Sequence, residues 1–283
     1  MPYSGYLFYK WAAHPGAPAD EWGAALDPDG IVAQAARMIE RYGFGSLKLK
    51  GGVFPPEQEI AAVRALRAAF PDLPLRIDPN GAWTPATAAG VVDTLAGTLE
   101  YLEDPVLGVA GMAQVRRSAG PAALPLATNM CVISFETVAP ALAAGAVQIV
   151  LADHHYWGGL RATRELAAVC AATGLGLSMH SNSHLGISLA AMTHVAASIP
   201  NLTHACDTHY PWNAADDVVR PGPLRFVDGS VPVPTGPGLG VELDEDVVAR
   251  LHRAYLESGR QVRDDAGYLR RHRPGFDPAL PRW

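Results

Sequence analysis

Eight short apolar runs, at residues 5–9, 46–50, 74–78, 101–103, 125–129, 147–152, 176–180 and 203–206, recur along the chain. Between several of them lie stretches with apolar residues three and four apart, at 31–42, 56–70, 84–95, 160–172 and 184–198. A run too short for a helix, followed by a helical pattern, is a β-α unit, and repeated units build a parallel sheet. Eight units in 283 residues predict an α/β chain closed as a (β/α)8 barrel. Hydrophobic residues make up 49% of the chain, enough for one large core. Residues 1–283 are therefore expected to form a single barrel domain with a C-terminal extension from about 221 to 283.

Polar residues recur with the same spacing. Lys48, Asp78, Glu103, Asn129, Asp153, His180 and Asp207 follow one another at intervals of 30, 25, 26, 24, 27 and 27 residues, each in an apolar run or just past it. Taken singly, such residues cap helices or make turns. One per unit is instead the pattern of a barrel's C-terminal face, where catalytic groups come from the ends of different strands.

The chain has only three lysines against nineteen arginines, and two of them share the run Ser46-Leu47-Lys48-Leu49-Lys50-Gly51-Gly52. Strand residues alternate faces, so Lys48 and Lys50 point the same way. Paired lysines on a solvated edge discourage aggregation, but apolar neighbours favour a chemical role. One ammonium beside another gives up its proton more readily, which a guanidinium does not. Lys50 and His180 are thus candidate bases on the second and seventh runs, reaching a central ligand from different sides. Asp153, one unit before His180, is placed to hydrogen-bond its far ring nitrogen and raise its basicity. His154, His155 and His204 read as structural or peripheral.

Asp78, Glu103 and Asn129 come from three consecutive units and offer only oxygen, a donor set that suits Mg2+. A dication beside two lysines would hold an anion and stabilise the charge left when a proton is removed next to a carboxylate. A Schiff-base aldolase using Lys50 is a competing reading, but it leaves the oxygen triad without a purpose.

The net charge of −6 and the lack of a basic stripe interleaved with aromatics, despite Arg270-Arg271-His272-Arg273, argue against a nucleic-acid partner. Cys131, Cys170 and Cys206 are odd in number and set in apolar sequence, which fits reduced core thiols and a cytoplasmic location. No apolar stretch is long enough for a bilayer, and Tyr6-Leu7-Phe8-Tyr9 lacks the features of an export signal, so no membrane partner is expected. Gly236-Pro237-Gly238-Leu239-Gly240 reads as a turn.

Placed together, Lys48-Leu49-Lys50-Gly51-Gly52, Asp78-Pro79-Asn80-Gly81-Ala82-Trp83, Glu103-Asp104-Pro105, Ala127-Thr128-Asn129-Met130, Leu151-Ala152-Asp153, His180-Ser181-Asn182 and Asp207-Thr208-His209 resemble the glucarate dehydratase family of the enolase superfamily. Pro237-Gly238-Leu239-Gly240-Val241-Glu242 and Arg263-Asp264-Asp265-Ala266 extend the likeness nearly end to end. The resemblance implies a Mg2+-dependent dehydration of a sugar diacid, D-glucarate or L-idarate, to 5-dehydro-4-deoxy-D-glucarate. It implies Asp78, Glu103 and Asn129 as metal ligands and Lys48 as the group that stabilises the enolate. His180 with Asp153 would act as base toward glucarate and Lys50 toward the opposite epimer, with Asn182 in the catalytic set. Tyr6, Asn80, Ser181, His209 and Arg263 would contact the substrate.

Family members also carry an amino-terminal α+β cap, and this chain starts at the first barrel strand. The expectation is either a truncated form or one subunit completed by a separately encoded capping domain, and a homo-oligomer is expected as well. An uncapped barrel serving as a binding or assembly partner, or a dehydratase of another acid sugar, are the alternatives. Gly186 stands where relatives usually have an acidic residue.

Overall fold

The computed structural model describes residues 1–14, 16–120, 124–222 and 224–283. Strands β1 (Tyr3–Phe8), β2 (Leu47–Lys50), β3 (Leu75–Asp78), β4 (Tyr101–Glu103), β5 (Leu126–Thr128), β6 (Ile149–Ala152), β7 (Gly176–Met179) and β8 (Cys206–Thr208) pair in parallel in the order β7-β6-β5-β4-β3-β2-β1-β8. Helices α1 (Pro28–Tyr42), α2 (Pro56–Ala69), α3 (Pro85–Leu95), α4 (Gly108–Ser118), α5 (Phe135–Ala143), α6 (Leu160–Thr173) and α7 (Gly186–Ala197) alternate with them. The eighth unit ends in a single turn, α8 (Tyr210–Asn213), before α9 (Glu245–Ser258) and α10 (Asp265–His272), neither of which buries a residue.

Local signals set the helices. Asp27 caps α1 by accepting from Gly30 N at 2.7 Å, Pro28 opens it, and left-handed Gly43 closes it. Ile31, Ala35 and Met38, three and four apart, form its buried stripe.

The sheet is a nearly closed barrel. No ladder joins β7 to β8 among the described residues. Thr203 bridges the seam instead: its backbone N–H donates to Leu177 O at 3.0 Å and its hydroxyl accepts from Leu177 N at 2.9 Å. Ser178 Oγ adds a bond to Ala205 O at 2.8 Å. The last strand lies at Cys206–Thr208 rather than at 203–206 as expected: Thr203 bonds to Leu177 through both its N–H and its hydroxyl, outside any ladder.

Register decides what points inward, because residues paired in parallel strands share a face. Tyr6, Lys48, Arg76 and Tyr101 form one such row. Tyr101, Ala127, Ile149 and Leu151 make a small apolar cluster apart from the main core. Leu7, Leu49, Ile77, Leu102 and Leu177, on the other face, belong to the large core. The barrel interior is therefore unusually polar for its depth. Arg76 is 2% exposed there, with Nε 2.7 Å from Glu100 Oε2, Nη1 2.8 Å from Ala205 O, and its guanidinium over the Tyr101 ring.

Candidate active site

The same register carries the polar series to one end of the barrel. Lys50 pairs with Asp78, the Ile77–Leu102 pairing sets Asp78 beside Glu103, and Glu103 pairs with Ala127, two residues before Asn129. Leu151 and Ser178, two residues before Asp153 and His180, are also paired. All of these share the inward face.

Above them opens a cavity of about 720 Å³. Lys50, Asn80, Asn129 and His180 line it, as do Tyr6, Asn182, His209 and Arg263. Lys48, Asp78 and Glu103, all 0% exposed, lie below its floor. Asp153 and Ser181 stand behind the wall, at 2% and 0% exposed.

Lys48 Nζ is 2.6 Å from Asp207 Oδ2, is ion-paired with Glu103, and lies 4.9 Å from the centre of the Tyr6 ring. Burial alone would lower its pKa, but Asp207 and Glu103 outweigh that and hold it well above the ordinary lysine value. Repulsion between the two lysines therefore does not make Lys48 a proton acceptor; it is a fixed cation. Lys50 Nζ meets Asp78 Oδ2 at 2.5 Å and Asn80 Oδ1 at 2.9 Å. Asn80 adopts a left-handed φ of 55°, held by its N–H on Asp78 Oδ1 at 2.9 Å.

His180 Nδ1 is 2.9 Å from Asp153 Oδ2. Burial raises the Asp153 carboxyl, but hydrogen bonds from His180 and His155 prevail and bring it down to about 2. With Nδ1 engaged, the remaining ring nitrogen of His180 is the one available to the cavity. His209 Nδ1 is 2.9 Å from Ser181 Oγ, and its ring packs on Tyr6 at 4.4 Å. Burial, then the nearby His180, lowers its pKa to about 3, so it is neutral. Asn182 donates to the Tyr156 hydroxyl. Arg263 reaches the rim, with Nε 2.7 and 2.8 Å from the two Asp265 oxygens.

The donor set at the strand ends fits a hard dication. Glu103 Oε1 and Asn129 Oδ1 are buried without a hydrogen-bond partner among the described residues. Burial, together with nearby Asp78, Asp207 and Asp104, pushes the Glu103 carboxyl well up despite Lys48, and burial raises Asp104 to about 7. The floor is short of positive charge, and its unpaired atoms are oxygens, which Mg2+ prefers.

Other residues that shape the site had drawn no role from the sequence. Asp104, at φ 34°, accepts from Thr128 Oγ1 at 2.5 Å, Asn129 N at 2.7 Å and Met130 N at 3.1 Å, fixing the loop that carries Asn129. Glu59 accepts from Gly52, Val53 and Phe54 N–H at 2.9, 2.8 and 3.0 Å and so holds the loop after Lys50. A Cβ at Gly52 would stand 2.2 Å from Pro79 O, which explains the second glycine of the lysine motif. The Gly186 departure also has an account: Asp217 Oδ1 accepts Gly186 N at 2.7 Å, and a Cβ there would meet Val219 at 2.4 Å and Asp217 at 2.8 Å. Asp217 occupies the space an acidic side chain at 186 would take.

Residues 30–247 match the family described as enolase C-terminal domain-like. The chain belongs to the enolase superfamily. It is 58% identical to a probable glucarate dehydratase of Streptomyces coelicolor over 289 aligned residues, covering 100% of this chain and 66% of that protein. An enolase from Mycobacterium smegmatis complexed with tartrate superposes with a TM-score of 0.96 at 64% identity, over 100% of this chain and 67% of that one. An enolase from Pseudomonas fluorescens with bound magnesium, potassium and tartrate gives 0.95 at 53% identity, over 100% and 66%. The chain thus spans about two thirds of the length of these relatives.

Proposed function

We propose that this chain is the barrel of a Mg2+-dependent hydro-lyase that dehydrates a hexarate, D-glucarate and its epimer L-idarate, to 5-dehydro-4-deoxy-D-glucarate. The observation that carries the proposal is the His180–Asp153 pair, at 2.9 Å, opening onto the same cavity as Lys50 above a floor of unpaired oxygens. The likeness to a probable glucarate dehydratase supports the substrate class, and the tartrate held by two neighbours supports a hydroxy-diacid.

Asp78, Glu103 and Asn129 would hold Mg2+, which when bound polarises a carboxylate and stabilises the charge that builds on it. Lys48, fixed as a cation, adds positive potential from below the floor. The free nitrogen of His180 takes the proton α to the carboxylate, with Asp153 stabilising the imidazolium. The same imidazolium returns that proton to the β-hydroxyl, which leaves as water, and the enol so formed tautomerises to the keto acid. Lys50 takes the corresponding proton from the opposite face in the epimer. Tyr6, Asn80, Ser181, Asn182 and His209 orient the chain of hydroxyls, and Arg263 binds the distal carboxylate through its planar fork.

Met130, Ile133 and Tyr156 leave apolar surface exposed near the mouth, at 36%, 44% and 55%. We propose that a further segment or separate capping domain covers it and excludes water, and that the working enzyme is a cytoplasmic homo-oligomer. The test is a keto-acid assay with Mg2+ and D-glucarate. EDTA should abolish product, and His180→Asn should lower its rate by about 10²–10⁴-fold. A metal-loaded chain, supplied with the covering domain, that leaves every hexarate unchanged would overturn the reading.

A further inference from the structure

Behind the cavity wall, Asp153, His154 and His155 form a cluster that the proposed chemistry uses only through one Asp153 oxygen. One atom from each side chain lies within 4.8 Å of the others. His155 Nδ1 is 2.7 Å from Asp153 Oδ1, while Oδ2 faces His180. The His154 and His155 rings pack with centroids 4.0 Å apart. His154 is only 6% exposed, yet its Nδ1 is buried with no hydrogen-bond partner among the described residues. A buried imidazole nitrogen left unpaired is costly, and nothing among the described residues accounts for it. His155 is 43% exposed, its Nε2 resting 2.8 Å from Ser188 Oγ, so the cluster has a path to solvent.

From this geometry we propose a second metal site, formed by Asp153, His154 and His155 and selective for Zn2+ over Mg2+, with a fourth position open to water. Two imidazoles and one carboxylate suit a borderline ion, whereas Mg2+ favours oxygen throughout. Ligands about 2.0–2.2 Å from zinc stand roughly 3–4 Å apart, so small side-chain rotations close the site. Binding displaces the proton shared by His155 and Asp153 to solvent and puts the ion in its place. If the proposed function holds, the ion also draws charge from Asp153 away from His180 and slows proton abstraction, making zinc an inhibitor. The site itself does not depend on that function.

The test needs no substrate: titrate the full chain with Zn2+ in excess Mg2+ by calorimetry. The expected result is one zinc per chain, bound at least ~10-fold more weakly by His155→Ala, with an X-ray absorption spectrum showing two imidazole ligands. His154→Phe, which keeps a buried ring, reads the same loss should His155→Ala not fold. No zinc binding, binding unchanged in these variants, or binding lost in Asp78→Asn instead would overturn the proposal.

Discussion

Lys48 Nζ lies 2.6 Å from Asp207 Oδ2 with both side chains fully buried, and Arg76 Nη1 approaches the other Asp207 oxygen at 3.6 Å. Asp207 thus ties the cation beneath the cavity floor to a guanidinium farther along the barrel interior. Removing one partner of a buried pair strands the other charge, at about 3–5 kcal/mol. Asp207→Ala should lower stability by that order, read by chemical denaturation, and Asp207→Asn by less, because the amide oxygen still accepts from Lys48. Equal stability of Asp207→Ala and the unsubstituted chain would contradict this role.

Gly52 brings the loop after β2 against the backbone of Pro79. Its φ of 73° and the 2.2 Å approach to Pro79 O leave no room for a methyl group. Gly52→Ala should cost about 1–3 kcal/mol and displace Lys50 and Asn80 together, whereas Gly45→Ala, with open space where its Cβ would stand, should be close to neutral. Thermal melts of the two variants check the difference.

Glu100 gives a pH signature. Burial raises its carboxyl, but hydrogen bonds from His204 and Arg76 prevail and lower it from 4.5 to about 2. A depressed carboxyl contributes stability above its unfolded value, so the contribution is complete above 4.5 and is lost as pH falls toward 2. At about 1.4 kcal/mol per unit, less some screening at this partly exposed group, it amounts to about 1–3 kcal/mol. Glu100→Gln should lose this much at neutral pH and show a flatter decline in acid.

Mg2+ should raise the melting temperature, since an ion bound only by the folded chain stabilises it by about 2.7 kcal/mol at one hundred times Kd. Asn129→Ala, Asp78→Asn and Glu103→Gln should each remove most of the shift, and EDTA should reverse it. A shift that survives all three substitutions would place the ion elsewhere.

The strands were legible because their buried outward faces read as short apolar runs, and the gathering of polar residues at one end of the barrel because one recurs per unit. β8 was displaced because Thr203 replaces one ladder bond to β7 with its hydroxyl, a contact periodicity does not encode. Arg76 sits in the middle of a strand and looks like a solvated residue until register turns it inward. Asp104 acts through backbone N–H groups of the next loop, and its φ of 34° has no sequence marker. The backbone pairing of Arg282 and Trp283 with Ala82 O, at 2.7 and 3.1 Å, joins segments far apart in the chain and leaves no periodic trace.

The most direct test of the central claim follows D-glucarate by proton NMR in D2O with Mg2+, comparing the unsubstituted chain with His180→Asn, each supplied with the covering domain. The account predicts keto-acid formation by the former and a rate lower by about 10²–10⁴-fold in the variant, which should still melt cooperatively as a folded chain. Equal rates for the two proteins would contradict it.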